Sequence, residues 1–168
     1  SQLPVSIKIR AKSDNISALD FVKYIRDLPI SAIMIHGRSL KQGFTGEIDF
    51  SLVKTIRPYF KGIILINGGI IDLKTAKKSL ALSQADGLGL ARGALSRPWL
   101  FQEIKENREI IYDFKSISNL IYKHAVNIVK FKGETALIEW RKHACLYVQG
   151  LKGASSLRSR LVQVSNLS

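Results

Sequence analysis

Cysteine is almost absent. The single Cys145 in 168 residues can form no internal disulfide, which suits a reducing compartment, and no grouping of Cys and His has zinc-site spacing. A structural metal is therefore not expected. No apolar run approaches the ~20 residues that cross a bilayer, and the opening SQLPVSIKIR lacks the hydrophobic core of a signal peptide. The expectation is a soluble cytoplasmic protein. Proline, at four residues, builds no Pro/Ser-rich linker, and no low-complexity segment occurs. Acidic residues are scarce as well: 13 Asp and Glu stand against 26 Lys and Arg, a net charge of +13. That imbalance favours a polyanionic partner, because each phosphate neutralised releases condensed counterions. RNA or DNA leads, an anionic membrane comes second, and a merely solubilising surface is the bland alternative. From Trp140 to Ser168 the cations Arg141, Lys142, Lys152, Arg158 and Arg160 meet no Asp or Glu. A one-signed field of this kind binds phosphates without sequence preference.

What is present is apolar and periodic. At 46% hydrophobic residues the chain can bury a core. Four short runs, PVSIKIR (4–10), SAIMIHG (31–37), GIILING (62–68) and ADGLGLA (85–91), read as buried strands bounded by Gly, Pro or polar residues. Helical patterns lie between them. Ser17 opens one, with Asp20 in its first turn and Leu19, Val22, Ile25 and Leu28 on its apolar face. Asp49 is placed to cap a second, with Leu52, Val53 and Ile56 inward, and Asp72 a third, with Leu73, Ala76 and Leu80 as its stripe. Alternating strands and helices imply right-handed crossovers and a parallel sheet. The fold class is thus α/β, either a doubly wound open sheet or part of an eight-stranded barrel, which needs about 250 residues when complete. A buried strand starting at Pro4 suggests a piece of something larger.

After Trp99 only helical patterns follow. Leu100, Ile104, Ile110 and Ile111 mark one, and Ile117, Leu120, Ile121, His124, Ile128 and Phe131 mark a longer one that Gly133 interrupts. Residues 134–148 and 155–164 read as two more. The change of pattern puts a domain boundary near residue 105, giving an α/β part over 1–105 and a helical part over 106–168.

ADGLGLARG resembles a dinucleotide-binding turn at first sight, but Gly87 and Gly89 fall inside the strand and no further strand follows, so the Rossmann reading is weak. The stronger alternative is the phosphate site that barrels build from the loops after their last two strands. Asn67-Gly68-Gly69 supplies the second loop, its glycines letting backbone approach a ligand, and Arg92 adds a charged fork. His36, in IHGR, ends a strand on the same rim. A lone His there is more often structural, but its neighbours on the rim, Lys8, Asn67 and Arg92, favour a binding role. Lys8, a cation on a strand made for burial, needs an anionic or electron-rich partner, for which a flavin is one candidate. In WRKHACLY, the consecutive Arg141, Lys142 and His143 fan around a helix and on pattern alone read as a solvated face; Cys145 reads as a small core residue rather than a nucleophile.

Taken in order, KIR, IHGR with GFTGEIDF, NGGI, LARGALSRPWLFQEI and RKHACLY resemble the second half of the flavin-dependent tRNA dihydrouridine synthases, across essentially the whole chain. The resemblance implies strands five to eight of a TIM (β/α)8 barrel followed by a small all-α bundle that helps hold tRNA. It implies that Lys8 and His36 lie against flavin mononucleotide (FMN), that Asn67, Gly68 and Gly69 bind its ribityl-phosphate side, and that Ala91 and Arg92 complete the phosphate grip. Ala91 stands where the family more often has Gly, a change that a backbone N–H contact tolerates. Arg38, Arg141, Lys142 and His143 would face tRNA. In such enzymes NADPH reduces the flavin, hydride passes to C6 of a flipped-out uridine, and a cysteine protonates C5. That cysteine belongs to the first half of the barrel, and Cys145 cannot be carried over to its role. The chain is therefore expected to be inactive alone, with the N-terminal half of a barrel as a candidate partner. Two rivals stand beside this reading: another FMN- or phosphate-binding half-barrel oxidoreductase, and a non-catalytic RNA-binding remnant or subunit.

Overall fold

The computed structural model of the chain describes residues 3–167. It divides into two compact units, Ser1–Gly93 and Ala94–Ser168. The first is α/β with a parallel sheet. Strand β1 (Val5–Arg10) leads through a small antiparallel hairpin, β2 (Lys12–Ser13) and β3 (Ile16–Ser17), into helix α1 (Ala18–Ile25). Then follow β4 (Ile30–His36), α2 (Leu52–Ile56), β5 (Ile63–Asn67), α3 (Leu73–Ser83) and β6 (Gly87–Gly89). The long strands pair in chain order, β1-β4-β5-β6, all parallel. A doubly wound sheet reverses its order at a switch point; here there is no reversal. The hairpin has no counterpart in the sequence expectations, since two-residue strands carry no periodicity.

Capping explains the helix starts. Ser17 Oγ accepts from the Asp20 amide, and Asp72 forms a reciprocal capping box with Thr75. Asp49 does not cap α2: Ser51 occupies the N-cap without a side-chain bond, and Asp49 Oδ1 instead accepts from Ser51 N at 2.9 Å and Ser51 Oγ at 2.6 Å. The Asp sits two residues too early, so its carboxylate shapes the approach rather than the first turn. Leu28, expected on the face of α1, lies past the helix end and is 55% exposed. On α3 the buried stripe is Leu73, Ala76, Ser79 and Ser83, with Leu80 only half-buried.

Period-two alternation gives the sheet two unlike faces. Ile33, Ile35, Ile64 and Ile66 are fully buried against Val22, Ile25, Val53 and Ile56, with Ile7, Ile9 and Leu88 beside them. The opposite face carries Lys8, Met34, Leu65 and Gly87 in one cross-strand row and Arg10, His36, Asn67 and Gly89 in the next, at the C-terminal ends. It is open lower down, where Ile63 is 54% exposed.

The short α4 (Arg92–Ser96) spans the division between units. The second unit is helical: α5 (Leu100–Glu106), α6 (Phe114–Lys132), α7 (Leu137–Tyr147) and α8 (Ala154–Leu161). Its core joins Ala125 of α6 to Leu137, Trp140 and Ala144 of α7, flanked by Ile121, Ile128 and Leu161. Ile110 and Ile111 do not continue α5, which stops at Asn107 in the left-handed region, and Ile111 is 96% exposed. The chain is held there by Glu103, fully buried, whose carboxylate takes Arg97 Nη2 at 2.8 and 2.9 Å and the Ile110 amide at 3.0 Å. The division at Gly93/Ala94 falls ahead of the boundary near residue 105, because α5 is tied to residues that follow it through that carboxylate. Phe131, expected on the apolar stripe of α6, is 80% exposed next to the Gly133 stop.

Candidate functional site

The open face of the first unit gathers the chemistry. Register places Arg10, His36, Asn67 and Gly89 side by side across the strand ends, with Lys8 one pair below Arg10. Asn67 is buried and its Nδ2 donates to Gly89 O at 2.6 Å, so the side chain ties the ends of β5 and β6 together. Gly89 is closely packed: a Cβ there would stand 2.7 Å from Met34 Sδ and 3.1 Å from Asn67 Cβ, so both neighbours would have to give way.

Beyond β5, Gly68 (φ 120°) and Gly69 (φ 64°) adopt conformations that L side chains rarely take. A Cβ on Gly68 would meet His36 Cδ2 at 2.8 Å, and one on Gly69 would meet Ile48 Cδ1 at 2.5 Å. The next loop is pressed equally close, since a Cβ on Gly93 would collide with the Ile70 carbonyl. The two glycine loops are therefore neighbours in space, as the sequence reading required. Ala91 and Arg92 are both exposed at this junction.

Four cations surround one buried imidazole. His36 is 6% exposed. Its pKa lies below the ordinary value, chiefly because burial disfavours the charged form and then because Arg10, Lys8, Arg38 and Arg92 repel a proton. It is accordingly a neutral ring at physiological pH. The cations differ in what they hold. Arg10 Nη1 donates to Gly43 O at 3.0 Å and Ser39 O at 3.2 Å, and Arg38 Nε to Gly46 O at 2.8 Å. Both brace the 37–51 loop. The side chains of Lys8 and Arg92 make no hydrogen bond or ion pair among the described residues; Arg92 Cζ instead lies 4.2 Å from the centroid of the Phe44 ring. Sequence reasoning passed over Phe44 and Ile48, although both lie in GFTGEIDF, because a hydrophobic residue in a loop gives no chemical signal of its own. Arg10 was visible only as a strand cation.

The basic run of the helical unit separates into three different environments. Arg141 Nε donates to Val164 O at 2.9 Å, bracing the segment after α8. Lys142 is exposed. His143 is half-buried, its ring 5.5 Å from that of His124, which in turn bonds Tyr147 Oη through Nδ1 at 3.1 Å. Cys145 is half-buried on the same helix. Among the described residues no cluster of His, Cys, Asp and Glu could hold a metal ion, and no helix is long and apolar enough to cross a membrane.

With this geometry in place, the comparisons with known proteins converge. The family model described as "Dihydrouridine synthase (Dus)" matches residues 1–168. The chain belongs to the dihydrouridine synthase family. It is 31% identical over 158 residues to tRNA-dihydrouridine synthase B of Pasteurella multocida, covering 89% of this chain and 48% of that one. To probable tRNA-dihydrouridine synthases of Helicobacter pylori (strain ATCC 700392 / 26695) and Aquifex aeolicus it is 28% and 26% identical, over 92% and 98% of this chain and 47% and 52% of theirs. The chain thus spans about half the length of the curated relatives it matches. Among solved structures, the crystal structure of TcOYE with pHBA aligns with a TM-score of 0.45 at 14% identity, over 67% of this chain and 31% of that one.

Proposed function

We propose that this chain is the flavin-phosphate and tRNA-binding half of a tRNA dihydrouridine synthase: strands five to eight of a (β/α)8 barrel followed by a helical tRNA-binding region. The observation that carries the proposal is the pair of adjoining glycine loops beside a neutral His36 and two uncommitted cations, Lys8 and Arg92. Gly68 and Gly69, at positive φ, pack directly against His36 and Ile48, which keeps the loop backbone beside the imidazole and suits a ligand held by backbone N–H groups. FMN would fit this donor set: the loop backbone and Arg92 would hold its phosphate, and Lys8 and His36 would serve its ring system. Bound there, it supplies hydride chemistry driven by NADPH. Lys8 offers positive charge to an electron-rich edge, while neutral His36 accepts or donates a hydrogen bond without adding charge. Asn67 and the braces Arg10 and Arg38 hold the loops in place.

The barrel reading draws support from strand order without a switch point and from an uncovered face and edge. Parallel sheets are ordinarily covered on both faces, yet Ile63 and Lys8 are exposed and a cleft of about 390 Å³ lined by Lys8, Ile9, Ile16 and Phe21 runs along the β1 edge. Four further strands would cover these surfaces, so an N-terminal half is the partner we infer. Cys145, the one cysteine, belongs to α7 of the helical unit and not to a loop of the sheet, and we infer that this chain alone does not reduce uridine. For tRNA, Lys142 is the exposed member of the RKH run, set in a field that lacks acids from residue 140 onward.

Titrating FMN and a tRNA separately at two salt concentrations tests the proposal. It predicts saturable FMN binding and a tRNA affinity that falls steeply with salt. FMN binding without tRNA affinity would favour a small-molecule oxidoreductase half-barrel, tRNA binding without FMN an RNA-binding subunit, and dihydrouridine made by this chain with FMN and NADPH would refute its dependence on a second half.

A further inference from the structure

We propose that Phe44 is a positioning residue whose ring fixes the Arg92 guanidinium for anion binding while leaving every N–H of that guanidinium free. This rests on the reading of Arg92 as a phosphate ligand and assigns the residue that prepares it. The 37–51 loop is anchored on both sides of Phe44: Arg10 holds Gly43 O, Arg38 holds Gly46 O, Leu40 N donates to Lys12 O at 2.8 Å, and Thr45 N donates to Gln42 O at 2.9 Å. Phe44 lies between these anchors. Its side chain is 62% exposed, and the contact that occupies its face is the guanidinium, 4.2 Å from the ring centroid.

The chemistry favours a platform over incidental packing. Arginines held by hydrogen bonds give up donors to their brace, as Arg10 and Arg38 do on this same loop. A guanidinium held over a ring by a cation–π contact spends no N–H on a protein acceptor, so all five donors stay available for a bidentate grip on phosphate oxygens. The anchored carbonyls make the platform rigid, so the long Arg92 side chain loses less conformational freedom on binding than an unsupported one.

The test compares FMN with riboflavin, which lacks the phosphate, on the whole chain carrying Phe44→Leu, Phe44→Trp or Arg92→Ala. An exposed cation–π contact corresponds to a loss of about two- to five-fold in affinity. Phe44→Leu is expected to weaken FMN by that factor and leave riboflavin unchanged, Phe44→Trp to retain wild-type affinity, and Phe44→Leu to have no further effect once Arg92→Ala is present. Equal weakening of both flavins, or of neither, overturns the inference. If the wild-type chain binds neither flavin, the parent reading fails, and the contact is judged by the Arg92 Nε–H resonance: loss of its ring-current shift in Phe44→Leu supports the platform, and an unmoved resonance refutes it.

Discussion

Replacing Asn67 tests how the two glycine loops are held together. The Nδ2 donates to Gly89 O at 2.6 Å in a buried setting, at the end of β6, which is only three residues long and pairs with Leu65–Asn67 of β5. Asn67→Ala removes the bond, worth about 0.5–1.5 kcal/mol net, and leaves a buried carbonyl without its partner, costing about 1–3 kcal/mol. These overlap, so a loss of about 2 kcal/mol is expected, and for a unit of this size that corresponds to a fall of roughly 8–16 °C in Tm. Asn67→Asp keeps the shape but replaces the donor with a carboxylate facing the Gly89 carbonyl, and should destabilise more than Ala. Urea denaturation followed by circular dichroism reads both variants, with FMN affinity measured alongside and expected to drop about ten-fold as the loops separate, which is about 1.4 kcal/mol. A loss under about 0.5 kcal/mol in Asn67→Ala, or Asp tolerated better than Ala, would refute the tie.

Glu103→Ala should destabilise the helical unit by about 3 kcal/mol, the lower end for breaking a buried pair because Arg97 keeps 36% side-chain exposure; an unchanged urea midpoint would contradict this. His36 and His124 both titrate below the ordinary 6.5, mainly through burial, so the folded chain binds fewer protons than the unfolded one. Their contribution is therefore complete above pH 6.5 and is lost as pH falls through the folded values. Denaturation midpoints at pH 8 and pH 5 should differ in that direction, with His124→Gln removing part of the difference. Lys142→Ala should reduce the salt slope of tRNA binding by about one without altering stability, whereas Arg141→Ala should lower stability through the lost Val164 brace; the reverse pattern would exchange their roles.

Much of the fold is legible in the residues because burial imposes periodicity. Ile33, Ile35, Ile64 and Ile66 are completely enclosed, and runs of that kind announce themselves. The Asp72 box is readable for the same local reason, Thr75 lying three residues on. The Asp49 assignment failed because cap and pre-cap positions differ by backbone conformation, which composition does not encode. Within the candidate site, the juxtaposition of His36, Asn67 and the glycines is legible because strand ends and turn residues point to a rim. What could not be read is how each side chain is used. Asn67 spends its amide on Gly89, Arg38 spends Nε on Gly46 and Arg141 spends Nε on Val164, each a bond between residues distant enough in sequence that only the fold reveals it. Phe44 shows the converse: it carries no polar chemistry, yet it occupies the face of an uncommitted arginine.

We propose above all that the adjoining glycine loops with Arg92 grip the phosphate of a flavin. Equilibrium titration of the chain with FMN and with riboflavin, followed by flavin fluorescence, tests it most directly. Saturable binding of FMN is expected, with riboflavin weaker by about ten-fold or more for loss of a charge-assisted phosphate contact. Equal affinities for the two flavins, or no saturable binding of FMN, would contradict it.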